Sequence, residues 1–178
     1  MTRNILLLSE RDFLALPIIR SLNPNEFRAY VLGPADSTVR FSRFCARYFS
    51  YPGDGTGTDY AESINATCQK FGIEAVIPLD LPTTVRLSDH RHRICVPTLP
   101  VADSATLLRL HDKWQFAKTL DRLGIPYPET VMVERRDSLV DGILPYPFMV
   151  KPLDLEAGRG IVKISDSADL RGYLDSAA

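Results

Sequence analysis

The stretch that decides the reading is Lys151 to Ile164, KPLDLEAGRGIVKI. It reads as a strand end, a loop holding Gly158-Arg159-Gly160, and a second strand beginning near Ile161. Glycine adopts positive φ at little steric cost, so such a loop can turn its backbone N–H groups outward and form a concavity for an anion. Lys151, at the end of the preceding strand, could place an ammonium on the same anion. Taken alone, a plain hairpin with a surface lysine and arginine is the simpler account of these residues, because Gly-x-Gly is a short motif with many false matches.

The flanking segments set the context. Upstream, Asp103 is suited to cap a helix running to Leu123, which Gly124-Ile125-Pro126 would stop. YPETVMV, YPFMVKP and RGIVKIS read as three strands of an antiparallel set, and Asp166 or Ser167 opens a final helix, SADLRGYL. The first hundred residues have another rhythm. Asn4 to Leu8, Arg28 to Leu32, Glu74 to Leu79 and Arg93 to Val96 read as strands. Phe13 to Leu22, Thr38 to Tyr51 and Asp59 to Phe71 read as helices, with Asn23-Pro24-Asn25 and Asp54-Gly55-Thr56-Gly57 as breaks and Gly72 closing the third helix. Strands alternating with helices predict an α/β domain with a parallel sheet.

Composition narrows the roles. Lys and Arg total 21 against 22 Asp and Glu, a formal net charge of −1, so no global field attracts nucleic acid or an anionic membrane. No apolar run approaches the roughly 20 residues that span a bilayer. MTRNILLLSERDF reads as a first strand rather than a signal peptide. Cys45, Cys68 and Cys95 are too few and too scattered for a disulfide framework or a metal site, and they suit a cytoplasmic protein.

The first strand-to-helix turn is Ser9-Glu10-Arg11-Asp12-Phe13. Without glycine it cannot bring backbone against a pyrophosphate, so dinucleotide binding there is not expected. Asp80 follows a buried strand, where parallel sheets bind ligands; it is either a substrate contact or a turn residue before Pro82. HRHR, His90 to Arg93, lacks a third ligand for a metal and reads as a solvated helix end or loop. Arg40, Arg43 and Arg47 share one face of the expected 38–51 helix, with Phe41, Phe44 and Tyr48 as its core face. Solvated arginines are the simpler account. The alternatives are a nucleic-acid patch, or Arg40 or Arg43 binding a substrate carboxylate.

HDKWQFAKTLDRLGIPYPET followed by YPFMVKPLDLEAGRGIVKISDSADLRGYL resembles the start of an ATP-grasp domain, over about residues 104 to 178. An Asp-Lys pair enters a helix, and Gly-Ile-Pro-x-Pro follows it. Then come Tyr-Pro-x-x-Val-Lys-Pro, Gly-Arg-Gly-Ile-Val and a capped helix. Less sharply, residues 1 to 100 resemble the Rossmann-like domain that precedes ATP-grasp folds. The resemblance implies a Rossmann-like pre-ATP-grasp domain at 1–102, then a linking helix and a partial α+β ATP-grasp lobe at 103–178. It implies ATP and Mg²⁺ as cofactors. Lys113 and Lys151 become nucleotide lysines, and Glu156, Ala157, Gly158, Arg159 and Gly160 become the lid over the phosphates. The implied reaction activates a small-molecule carboxylate as an acyl phosphate for attack by an amine. Mg²⁺ ligands are expected in a later part of the fold and none in this chain, so the chain reads as a truncated and catalytically incomplete part of a ligase. A non-catalytic nucleotide- or partner-binding module is the alternative, and homo-oligomers are possible in either case.

Overall fold

The computed structural model describes residues 2–22, 24–51 and 59–176. The chain forms two compact units, Met1–Leu107 and Leu108–Ala178.

The first unit is built on a four-stranded parallel sheet. In chain order its elements are β1 (Arg3–Leu8), α1 (Asp12–Ser21), β2 (Phe27–Gly33), β3 (Arg47–Ser50), α2 (Asp59–Phe71), β4 (Ile73–Pro78) and α3 (Leu81–His90). The strand order is β3-β2-β1-β4, and every pairing is parallel. Alternate residues of β1 serve opposite faces. Leu6 and Leu8 pack with Tyr60, Ile64 and Leu87 from α2 and α3, whereas Ile5 and Leu7 pack with Ala15 and Ile19 from α1. A strand covered on both faces has no solvent side, which is why NILLL is apolar without alternation.

Local chemistry sets the element ends. Asn4 Nδ2 donates to Phe71 O at 2.8 Å, and Gly72 (φ +58°) reverses the chain after α2. Pro17 sits inside α1 on its exposed side, where the carbonyl that loses its partner can meet water. Gly33 is required by space. A Cβ there would lie 2.3 Å from Ser9 O and 2.6 Å from the Tyr48 hydroxyl.

Two expectations in this unit fail. Thr38 to Tyr51 is not a helix. A single 3₁₀ turn at Thr38–Phe41 leads into β3, which pairs with Tyr30–Gly33 of β2. The three-to-four spacing of Phe41, Phe44 and Tyr48 is coincidental, since Phe41 is 82% exposed and no helix face joins Arg40, Arg43 and Arg47. Ladder bonds to β2, beginning with Ala46 N to Ala29 O at 2.8 Å, outweigh weak local periodicity. Nor is Arg93 to Val96 a strand. The Asn65 side chain donates to Arg93 O (2.7 Å) and accepts from Cys95 N (2.9 Å), taking groups a ladder would use. Among the described residues, Thr98 alone bridges to Val76 of β4. Leu81 to His90, not expected as a helix, is α3. HRHR is the end of that helix and a 3₁₀ turn, as read. The Asp54–Gly57 break lies outside the described residues, as does Asn23 of the first break.

α4 (Ser104–His111) crosses the division between the units. The second unit continues with α5 (Lys113–Arg122), β5 (Phe148–Val150), β6 (Val162–Ile164) and α6 (Ser167–Asp175). The single helix expected from Asp103 to Leu123 is therefore two, each with its own aspartate cap. Thr106 N donates to Asp103 Oδ1 at 2.9 Å, and Gln115 N to Asp112 Oδ1 at 2.7 Å. β5 and β6 pair antiparallel, Phe148 opposite Ile164. YPETVMV forms no strand; among the described residues it has no ladder partner. Leu139, Phe148, Ile164 and Leu170 make the small core. Asp166 caps α6 through Ala168 N and Asp169 N, as expected.

Gly33→Ala is expected to destabilise the chain by about 1–3 kcal/mol, the usual effect of overpacking, because both opposing atoms are fixed; urea unfolding monitored on the first unit's signals checks this. Asp12 supplies a pH test. It accepts from Ser37 Oγ (2.6 Å), Thr38 N (2.7 Å) and Thr38 Oγ1 (2.5 Å). Partial burial pushes its carboxyl up, but these bonds and the Arg40 charge outweigh burial and hold it below the ordinary 3.8. The stabilisation is thus complete above the unfolded value and lost as pH falls through the lower folded value. Asp12→Asn should therefore be less stable than the parent at neutral pH, and the gap should close in acid below 3.8.

Candidate functional site

Chemistry-bearing residues gather in two places, one in each unit. In the first unit the place follows from topology. β1 is central, the chain runs outward through β2 to β3, and then it crosses to β4 on the other side of β1. The strand order thus reverses between β1 and β4, and a parallel sheet leaves a crevice beyond its carboxyl ends at such a point. The residues after β1 are Ser9, Glu10 and Arg11; the residue that caps the helix after β4 is Asp80.

Asp80 is buried, and its carboxylate is surrounded by donors. Oδ2 accepts from Glu10 N at 2.6 Å and lies 3.2 Å from Ser9 Oγ. Oδ1 accepts from Thr83 N at 3.0 Å and lies 2.8 Å from Thr83 Oγ1. Two backbone N–H groups donate to the carboxylate outright, and the Ser9 and Thr83 hydroxyls, whose single protons also face the Arg11 and Leu8 carbonyls, lie against its remaining acceptor positions. Asp80 therefore joins the β1 turn to the start of α3 as a capping box, with Pro82 in the first turn of the helix. This geometry gives it a positioning role and leaves its oxygens engaged within the protein.

Beside it lie residues that sequence reasoning did not select. The Arg86 guanidinium, on α3, pairs with the Glu10 carboxylate and packs over the rings of Tyr51 and Tyr60. Burial lowers the Arg86 pKa from its ordinary value. The only sequence signal was indirect: Asp80-x-x-Thr83 with Pro82 is a helix-start pattern, and it would have put Arg86 one turn inside a helix facing the crevice. Arg40 and Arg43 are exposed. Arg40 Nε donates to Ser37 O at 2.8 Å, and the Arg43 guanidinium lies 4.9 Å from the Phe44 ring centroid. The structure does not bring either together with Asp80.

In the second unit, α5 and the loop between β5 and β6 meet at Lys113. Asp112 caps the helix, so Lys113 occupies its first position. Its Nζ donates to Leu153 O (3.1 Å) and Leu155 O (2.9 Å), while its own N–H donates to Leu153 O (3.3 Å). His111 Nε2 lies 2.8 Å from Asp154 O, so three consecutive carbonyls of the loop base are held by the α4–α5 junction. An ammonium has three donors, and two are spent on the loop.

Beyond that base the loop takes a strained shape. Ala157, Gly158 and Gly160 have φ of +54°, +76° and +70°. Arg159 N returns to Glu156 O (3.1 Å) and Ile161 N to Gly158 O (3.3 Å). Ala157 is the only non-glycine among the described residues with positive φ, a conformation disfavoured for a residue bearing Cβ. Gly160 must be glycine for space as well, since a Cβ would meet Pro152 Cγ at 2.7 Å. Ala157, Gly158, Arg159 and Gly160 are all exposed, as is Lys151, whose ammonium has no hydrogen bond or ion pair among the described residues. Eleven residues separate the antiparallel strands β5 and β6, with Lys151 and Arg159 both on the surface between them.

No protein-family model matches the sequence. A 72-residue stretch is 36% identical to the carbamoyl phosphate synthase large chain, C-terminal section, of Methanopyrus kandleri, covering 39% of this chain and 13% of that protein. Solved structures extend the likeness to nearly the whole chain. An L-amino acid ligase from Bacillus licheniformis shares 16% identity at a TM-score of 0.59 over 98% of this chain and 42% of its own. N5-carboxyaminoimidazole synthase from Aspergillus clavatus, crystallised with ADP and 5-aminoimidazole ribonucleotide, shares 18% at 0.59, covering 98% and 43%. The biotin carboxylase domain of Hydrogenobacter thermophilus 2-oxoglutarate carboxylase, crystallised with MgADP, ADP and bicarbonate, shares 17% at 0.59, covering 98% and 40%. The chain therefore shares the α/β fold of the corresponding part of these ligases and carboxylases and spans less than half the length of the structures that share it.

Proposed function

We propose that this chain is part of an ATP-dependent ligase that activates a carboxylate as an acyl phosphate for attack by an amine. The observation that carries the reading is the Glu156–Gly160 loop, with three positive φ values on an exposed backbone beside the unengaged Lys151. Consecutive backbone N–H groups in such conformations form a concavity for anions. The similarity to a carbamoyl phosphate synthase section and the ADP-bound structural neighbours support the same assignment.

Lys151 and Arg159 supply positive charge to the β- and γ-phosphates, and the loop backbone from Glu156 to Gly160 covers them. Lys113 acts in part through the loop, since its ammonium fixes the carbonyls of Leu153 and Leu155 and so sets where the lid is hinged. Its third donor is the one directed to nucleotide. A carboxylate oxygen of the substrate attacks the γ-phosphorus and ADP leaves; the amine then attacks the acyl carbon and phosphate leaves. Charge builds on the phosphoryl oxygens during transfer, so donors placed there in advance lower the barrier. No group of three or more His, Cys, Asp or Glu residues suited to a metal occurs among the described residues, and the proposal assigns Mg²⁺ to none of them. No helix is long and apolar enough to cross a membrane among the described residues. The arginine-face premise of a nucleic-acid reading disappears with the 38–51 helix.

In the full-length protein, ADP and phosphate should be released only when both a carboxylate and an amine are present. Lys151→Met should weaken ATP binding about tenfold or more, the effect of losing a hydrogen bond to a charged group worth about 1.5–3 kcal/mol. Equal ATP affinity in the parent and Lys151→Met, measured by calorimetry, would remove the lid assignment. Lys113→Met should also loosen the loop, seen as faster amide exchange across residues 153–160 without nucleotide.

A further inference from the structure

The carboxyl edge of the first unit holds groups that the nucleotide reading does not use. Glu10 follows β1 and Arg86 lies on the helix after β4, so their ion pair spans the point where strand order reverses. The Arg86 side chain is 16% exposed, and its guanidinium carbon lies 4.8 Å from the Tyr51 ring centroid and 5.6 Å from that of Tyr60. An ion pair alone would be an ordinary strut.

The tyrosines argue for more. Tyr60 is 1% exposed, its ring is 5.7 Å from that of Tyr51, and both hydroxyl oxygens are buried without a hydrogen-bond partner. Burial, together with the Asp80 charge, pushes both phenols up from their ordinary value, so both stay protonated donors. Even a bond between them would leave one proton undonated. A buried donor without an acceptor carries a standing penalty, and at least one such phenol proton lies here beside a guanidinium that already holds a carboxylate.

We propose that Arg86, with the Tyr51 and Tyr60 hydroxyls, forms a receptor for the carboxylate of a small molecule, and that Glu10 is the resident carboxylate which the ligand displaces. The chemical class follows from the occupant. Arginine presents a planar fork matched to carboxylate geometry, and the group it holds in this structure is a carboxylate. The crevice beyond the carboxyl ends of β1 and β4 is where a parallel sheet receives its ligand. Binding at this site involves no nucleotide, so the inference goes beyond the ligase reading.

The test is a titration of the 178-residue chain with acetate, following the Arg86 Nε–H and Glu10 amide resonances, with inorganic phosphate in a parallel arm at matched ionic strength. Acetate should shift both signals saturably. Glu10→Gln should bind acetate several-fold more tightly, because the competing carboxylate is gone. Tyr60→Phe should retain or gain stability, since its hydroxyl has no partner, yet bind acetate more weakly. No saturable response in both the parent and Glu10→Gln overturns the proposal. So does a Glu10→Gln chain that melts lower without binding acetate more tightly, which is the signature of a strut. Phosphate binding more tightly than acetate at these resonances overturns the carboxylate assignment. Lys151→Met should leave the titration unchanged, so failure of the lid assignment and failure of this site are read separately.

Discussion

The Asp80 carboxylate is the contact on which the first unit's working edge depends. Parallel strands leave their carboxyl ends without a common partner, because each strand departs into its own connection. One buried side chain accepting from Glu10 N and Thr83 N ties the departures from β1 and β4 together across the reversal of strand order. That bond orients the Glu10 turn, starts α3, and so determines where Arg86 meets Glu10. A buried carboxylate is tolerable only when it is fully hydrogen-bonded, so the same demand that makes Asp80 structural makes the edge rigid.

The second unit solves a comparable problem with a cation. Lys113 gathers carbonyls that would otherwise point from an irregular loop toward solvent, and the capped α5 start holds the lysine in place. What remains beyond the anchored base is a short run of backbone in left-handed conformations, shaped before any ligand arrives. Pre-shaped backbone loses less conformational entropy on binding than a loop that must be ordered.

Much of this was legible in the residues, and the failures have physical causes. NILLL, EAVIPL and the Gly72 stop announced a parallel sheet because burial on both faces and a left-handed cap leave direct marks on sequence. The irregular 151–161 loop is legible through its glycines, though Ala157 carries no hint of its positive φ. Residues 38–51 misled because aromatic spacing of three to four is weak evidence when a neighbouring strand can supply ladder bonds. A single helix from Asp103 to Leu123 is an overreading, because the helical pattern runs on through Asp112 although the Asp112-Lys113 pair itself marks a helix entry. Arg86, Tyr51 and Tyr60 were invisible as a set, since their meeting depends on strand order, which no local pattern encodes.

The way Asn65 displaces a ladder has a further consequence. Val76 N and O on the outer side of β4 are taken by Pro97 O and Leu99 N, at 2.9 and 3.4 Å, while Asn65 occupies Arg93 O and Cys95 N. The segment outside β4 is therefore a weak template for an incoming strand. On the opposite side β3 offers four residues, with the exposed Arg47 lying over Phe49 and Phe71. Short, charged or pre-occupied edges are how natural sheets resist growth from chain to chain. The unit can thus keep an open crevice at its strand ends without inviting aggregation along its sides.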